Sequence, residues 1–150
     1  MVKISSLKSL QAKLKKMKAK AKDANTTVQV GYSQKYAVSV HEVPANHKVG
    51  QAKYLEQPAR QFQKDLGRII AVVYKKTKSM KKALLLAGFR LQRESQLLVP
   101  IDTSALRASA YVATEEEADI AAQASFNKSE KLKVAGQRKR DKEKKKKGKK

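Results

Sequence analysis

The chain contains no cysteine and no tryptophan, only three prolines and six glycines, and aromatic residues make up just 5% of it. Without cysteine there are no disulfides, no thiolate zinc sites and no thiol nucleophile. A reducing compartment is compatible with this. Apolar runs are short. One of the longest, Ala83-Leu84-Leu85-Leu86-Ala87, reads as a core helix segment, far below the ~20 residues that a membrane span needs. The N-terminus has lysines but no apolar stretch of signal-peptide length. Acidic residues are scarce as well: 13 Asp and Glu stand against 35 Lys and Arg, a formal charge of +22. An excess of that size concerns partners and solubility rather than fold. It points to a polyanion: nucleic acid, an acidic membrane or an acidic protein surface.

The 150 residues suit one domain. Three segments differ in composition: a basic amphipathic N-terminal helix over 1–24, an α+β domain over 25–127, and a lysine-rich tail over 128–150. Ile4, Leu7, Leu10, Leu14, Met17 and Ala21 recur at steps of three and four, so they share one helix face. Lysines including Lys13, Lys16 and Lys20 fill the remainder. The stripe Leu7, Leu10, Leu14 and Met17 is assigned to a subunit or partner interface. The lysines opposite it are assigned to DNA or an acidic neighbour.

The period then changes. Val28, Val30 and Tyr32 alternate with Thr27, Gln29 and Gly31, and Tyr36, Val38 and Val40 alternate with Ala37, Ser39 and His41. Alternation on both sides of Ser33-Gln34-Lys35 predicts a hairpin. Gly31 within a strand suggests a bulge or a close backbone approach. Residues 43–53, with Pro44 and Gly50, read as a loop. Pro58 opens a helix that continues through Phe62, Leu66, Ile69, Ile70 and Val73. Ser79 caps the next helix, whose buried face carries Leu84, Ala87, Leu91 and Leu98. Gly88 inside it costs ~1 kcal/mol relative to alanine, which a close approach to another helix would explain. Pro100 stops this helix, and Asp102 and Thr103 are cap types for a short helical turn after it. Tyr111–Ala113 reads as a strand, Glu115–Glu117 as a turn, and 119–124 as a weaker returning strand. The predicted fold is therefore α+β: a small antiparallel sheet of about four strands packed by two or three helices.

From residue 128 to 150 there are 13 basic and 3 acidic residues, a net of 13 − 3 = +10. With almost no large apolar side chains, this tail is expected to be disordered when free, with at most a residual helix near 137–147. Arg138, Lys139, Arg140, Lys144, Lys145, Lys146 and Lys147 are its candidate contacts to nucleic acid or to an acidic partner. Their binding would be sequence-blind and salt-dependent.

Chemistry-bearing constellations are few. His41 and His47 lie six apart across a proline, and with Glu42 or Glu56 they match no recognised metal spacing. Ser39 and His41 lack a third, orienting group. Glu115–Glu117 reads as a solvated turn rather than a catalytic carboxylate pair. No glycine-rich phosphate loop is present. Tyr32 and Tyr36 read as packing residues, because the RNA-binding submotifs that would make them stacking platforms are missing. No catalytic, cofactor or metal residue is assigned.

Two stretches carry a resemblance. VGYSQKYAVSVHE (30–42), followed by VGQAKYLEQPAR (49–60), is similar to the hairpin and loop of small virion proteins of tailed bacteriophages. LLLAGFRLQRESQLLVPIDTSALRASA (84–110) resembles the head–tail joining (neck or tail-completion, minor capsid) family, in which a helix ends in Val-Pro before Asp-Thr-Gly and a leucine. The matching positions are Tyr36, His41, Glu42, Gly50, Pro100, Asp102, Thr103 and Leu106. Ser104 stands where the family pattern usually has glycine, and the His-Glu segment precedes the helix rather than following the Asp-Thr turn. The resemblance implies a non-enzymatic structural subunit of the virion neck, made in the host cytoplasm. It also implies a homo-oligomeric ring, six- or twelve-fold, between portal or adaptor and tail-terminator proteins, with genomic DNA near its basic segments. A free sequence-nonspecific nucleic-acid-binding protein and a capsid decoration protein are the alternative readings.

Overall fold

A computed structural model describes residues 12–18, 23–43, 49–101 and 104–147. Its elements run α1 (12–18), β1 (Val28–Tyr32), α2 (Ala37–Glu42), α3 (Glu56–Gln61), α4 (Gln63–Thr77), α5 (Met80–Leu98), α6 (Ala105–Ala108), β2 (Ala110–Thr114) and α7 (Ala118–Lys147). Among the described residues the only sheet is the antiparallel pair β1–β2, in register Val28↔Thr114, Val30↔Val112 and Tyr32↔Ala110. The expected sheet of about four strands is thus corrected to a two-stranded ribbon in a mostly helical fold.

Three misread segments account for the difference. The predicted second hairpin strand is helix α2. Its Ala37 is buried while Val38 is exposed, and Ala37, Val40 and His41 sit at i, i+3, i+4. So short a run of β-branched residues satisfies either period. The strand expected at 119–124 is the start of α7. Ala118, Ser125 and Ser129 are buried and Ile120 is exposed, the opposite of what alternation required. The tail expected to be disordered continues α7 to Lys147. Its first turns are docked, and lysine propagates a nucleated helix well.

The one helix expected from Pro58 through Val73 is two, α3 and α4, broken at Phe62 (φ −97°, ψ 11°); the other elements follow their local signals. The Ser79 side chain caps α5 by accepting from the Lys82 N–H. Lys78, in the left-handed region at φ 55°, closes α4 by donating to the Tyr74 carbonyl. Helix α5 stops at Leu98, and Val99 is extended ahead of Pro100. Ser104 starts α6 at φ 62°, so it adopts the left-handed backbone that glycine takes most readily. Asp102 and Thr103, and with them the predicted Asp102 cap, lie outside the described residues. So do Leu7, Leu10, Lys20, Pro44 and His47.

Helix α5 is central, with α4 antiparallel along one side and the ribbon on another. Gly88 faces the ribbon rather than a helix. A Cβ there would lie 2.7 Å from Val112 Cγ1 and 3.3 Å from Val30 Cγ2. Gly31 is covered by its cross-strand partner Tyr111, whose ring would meet a Cβ at 3.0–3.1 Å. The first half of α7 packs along α6 and β2 through small residues. Helix α4 contributes no fully buried residue.

Candidate functional site

Of the described positions picked out by resemblance, Leu106 lies in one core and His41, Gly50 and Pro100 lie against it. Tyr54 is its centre, 1% exposed, and clusters with Ala37, Val99 and Leu106 against Tyr32, Val40, Leu55 and Leu98. Its hydroxyl donates to the Ala37 carbonyl at 2.9 Å, which ties α2 to the chain before α3. The Tyr32 and His41 rings each meet Tyr54 edge-on, at centroid distances of 5.0 Å. The Tyr32 hydroxyl pairs with Ser95 Oγ on α5 at 2.7 Å. Burial pushes the Tyr32 phenol up to about 12, and burial likewise raises Tyr54. Both are structural phenols, held neutral at physiological pH and committed to hydrogen bonds.

Around this core the loop backbone is fixed by four contacts. The Gln51 N–H donates to the Leu98 carbonyl at 2.9 Å, and the Lys53 N–H donates to the His41 carbonyl at 2.8 Å. Lys53 occupies the left-handed region at φ 56°, and its ammonium bridges Glu42 and Glu56. Gly50, at φ 88°, lies directly on the Val99–Pro100 backbone. Gly50 and Pro100, from two separate stretches of resemblance, are therefore in contact.

Glu42 accepts from Lys53 and from His41, the latter at 2.7 Å. Those two hydrogen bonds, Lys53 first, hold its carboxyl below the ordinary value, and Glu42 in turn raises the Lys53 ammonium. The pair is exposed, so its electrostatic contribution is screened. His41 Nε2 is buried without a hydrogen-bond partner. The Tyr54 hydroxyl beside His41 is committed to the Ala37 carbonyl. Among the described residues no three His, Cys, Asp or Glu side chains form a metal-holding group. The contacts around Tyr54 and Gly50 join α2, the 49–55 segment and the turn after α5 into one packed junction. Leu106 and Pro100 belong to it, while Tyr36 sits at its rim, partly exposed.

Several residues that organise the fold were invisible to local pattern. Asp23 accepts from the Met80 N–H at 2.6 Å, the Lys81 N–H at 3.0 Å and Ser79 Oγ at 3.1 Å. It thus fills the N-terminus of a helix 57 residues away. The backbone N–H donors of Lys81 and Met80 hold its carboxyl below the ordinary value. Gln34, also buried, donates to Ser129 Oγ at 2.6 Å and Glu130 Oε1 at 2.9 Å, and Ser33 pairs with Ser125 at 2.7 Å. These three polar bonds lock α7 to the turn after β1. Their only sequence signal is the serine pair at i, i+4.

The basic positions are on the surface. Lys13 and Lys16 on α1, and Arg138, Lys139, Arg140, Lys144 and Lys145 on α7, are exposed, and the helix backbone continues through Lys146 and Lys147. Leu14 and Met17, the described half of the N-terminal stripe, are also exposed, as are Leu86, Phe89 and Leu97 along α5. No described helix is long and apolar enough to cross a membrane. No family model, no curated protein and no solved structure matches this chain.

Proposed function

We propose that this chain is a non-enzymatic structural protein of a tailed-phage neck. In this reading it forms a ring between the portal side of the head and the tail, and its basic segments face DNA. The observation that carries the reading is the docking of Gly50 on Val99–Pro100, followed by left-handed Ser104. Two stretches that resemble small virion proteins fold into one junction, and Ser104 takes the conformation that the family's glycine would supply. The surface is consistent with assembly. Helix α4 has no buried residue, and Leu14, Met17, Leu86, Phe89 and Leu97 leave helical apolar stripes uncovered, a common mark of interaction surfaces. Light scattering after size exclusion at 0.5 M salt tests the proposal. A closed oligomer supports it, and a strict monomer at every concentration refutes it. Leu10→Asp with Leu14→Asp should abolish the ring or particle incorporation while leaving the 28–124 region folded.

The second reading, a free nucleic-acid-binding protein, is favoured by the lysine-coated second half of α7. It predicts a monomer that binds DNA tightly at low salt.

A further inference from the structure

The second half of α7 is more than a charged tail. Ser129 is buried, and from residue 131 to 145 no described residue of the helix is. Seven of the eight basic residues from Lys131 to Lys145 fall on two lines, and Lys139 lies between them. Lys131, Arg138, Lys142 and Lys145 follow one another at steps of seven, four and three. Lys133, Arg140 and Lys144 begin the same seven-then-four series two residues later. At about 3.6 residues per turn, each series stays on one line along the helix, and a two-residue offset places the lines on roughly opposite sides. The two acids, Asp141 and Glu143, fall between the lines, as do Leu132 and Val134.

A flat acidic surface, whether a bilayer or a protein face, engages one side of a helix. It favours a single basic face with an apolar or neutral back. Opposed basic lines instead fit a channel with negative walls on both sides. The major groove of duplex DNA is such a channel, about 12 Å wide and able to admit an α-helix between two phosphate backbones. We infer that residues 131–145 are a groove-binding helix for double-stranded nucleic acid, each basic line meeting the phosphates of one strand. Off the lines, Lys139 and Gln137 are the only side chains suited to donate to base edges, too few to read a site, so binding is largely sequence-blind. This deepens the DNA-contact part of the neck reading and does not depend on ring formation.

The test uses the full chain and a fluorescent 30-base-pair duplex titrated at several salt concentrations. Two variants are compared. In the first, Lys133→Gln, Arg140→Gln and Lys144→Gln neutralise one line. In the second, Arg140→Asp, Asp141→Arg, Glu143→Lys and Lys144→Glu move charge off that line at constant net charge. Circular dichroism confirms that helix content is kept. For log affinity against log salt, each lost phosphate contact lowers the slope by about 0.9. The first variant should lose roughly two to three units of slope. The second should lose roughly two, with about tenfold weaker binding at moderate salt. Filling the major groove with glucosylated cytosines should weaken the wild type alone.

Wild-type affinity in the transposed variant would overturn the inference, because net charge would then suffice. So would binding to polyglutamate or phosphatidylserine vesicles as tight as binding to duplex. A monomer that passes the duplex test sinks the ring and keeps the groove helix. A ring that fails the test does the reverse.

Discussion

Gly50→Ala is the sharpest perturbation of the junction. Gly50 has φ 88°, and a Cβ built on it would sit 2.5 Å from Pro100 Cα and 2.6 Å from the Val99 carbonyl carbon. Both obstacles are backbone, and one belongs to a proline, so neither can swing aside like the end of a side chain. The left-handed backbone costs an L-residue about 1–2 kcal/mol. Forcing a methyl into filled space adds about 1–3 kcal/mol. Reduced freedom of the unfolded chain returns about 0.4–1 kcal/mol. The net loss is about 3 kcal/mol, a large share of the 5–15 kcal/mol typical of a domain. In thermal unfolding followed at 222 nm, Tm should fall by roughly 10 °C. Gly67→Ala is the matched control, since a Cβ there meets nothing within 4 Å. It lies inside α4 and should stabilise by about 0.5–1 kcal/mol. A Gly50→Ala protein within 0.5 kcal/mol of wild type would show that the loop does not rest on the Val99–Pro100 turn.

Five other outcomes are expected. Lys78→Gly should raise stability by up to about 1 kcal/mol in urea titration, because it relieves a left-handed lysine at the end of α4. Truncation after Glu130 should leave the unfolding midpoint nearly unchanged. Truncation after Asn127 should cost about 1–3 kcal/mol by stripping buried Gln34 of both its acceptors. Asp23 has a lowered folded pKa, so its contribution is present above the unfolded carboxylate value and is lost as pH falls through the folded one. Asp23→Asn should therefore flatten the acid limb of the stability curve below about pH 4. Tyr32 is shifted the other way, to about 12. Its share of stability is complete below pH 10 and disappears as pH rises through 12. In a titration read at 295 nm, Tyr32 and Tyr54 should ionise above the ordinary tyrosine value.

The long helices were legible because their information is local. Phe62, Leu66, Ile69, Ile70 and Val73 repeat at helical steps, Ser79 offers a cap, and Pro100 a stop. Strand β1 was legible too, from three alternating pairs. Residues 111–113 read as a strand as well, but their pairing with β1 was not legible. The nearest alternating run, at 36–40, was a helix, and the true partner lies about 80 residues away. Runs of five or six residues do not separate the two periods, and at 37–42 packing against Tyr54 decided the outcome. The start of α7 failed for a related reason, since its buried face is built from alanine and serine, which carry little hydrophobic signal. Gly50 and Pro100 were singled out individually, but their contact is tertiary. Asp23 had no signal at all, because what it caps is distant in sequence.

Pairing β1 with β2 also sets the order in which the molecule can assemble. Residues 28–32 wait for residues 110–114, so the ribbon closes a loop of about 80 residues whose entropy must be lost before any strand contact is rewarded. The α4–α5 hairpin forms from neighbours and needs no such closure. During synthesis the first strand emerges long before its partner, and the apolar side of α5 meant for the ribbon stays uncovered meanwhile. Folding is therefore expected to begin at the helical hairpin and to become cooperative only once residues near 114 have arrived. Chains released before that point would be prone to aggregate.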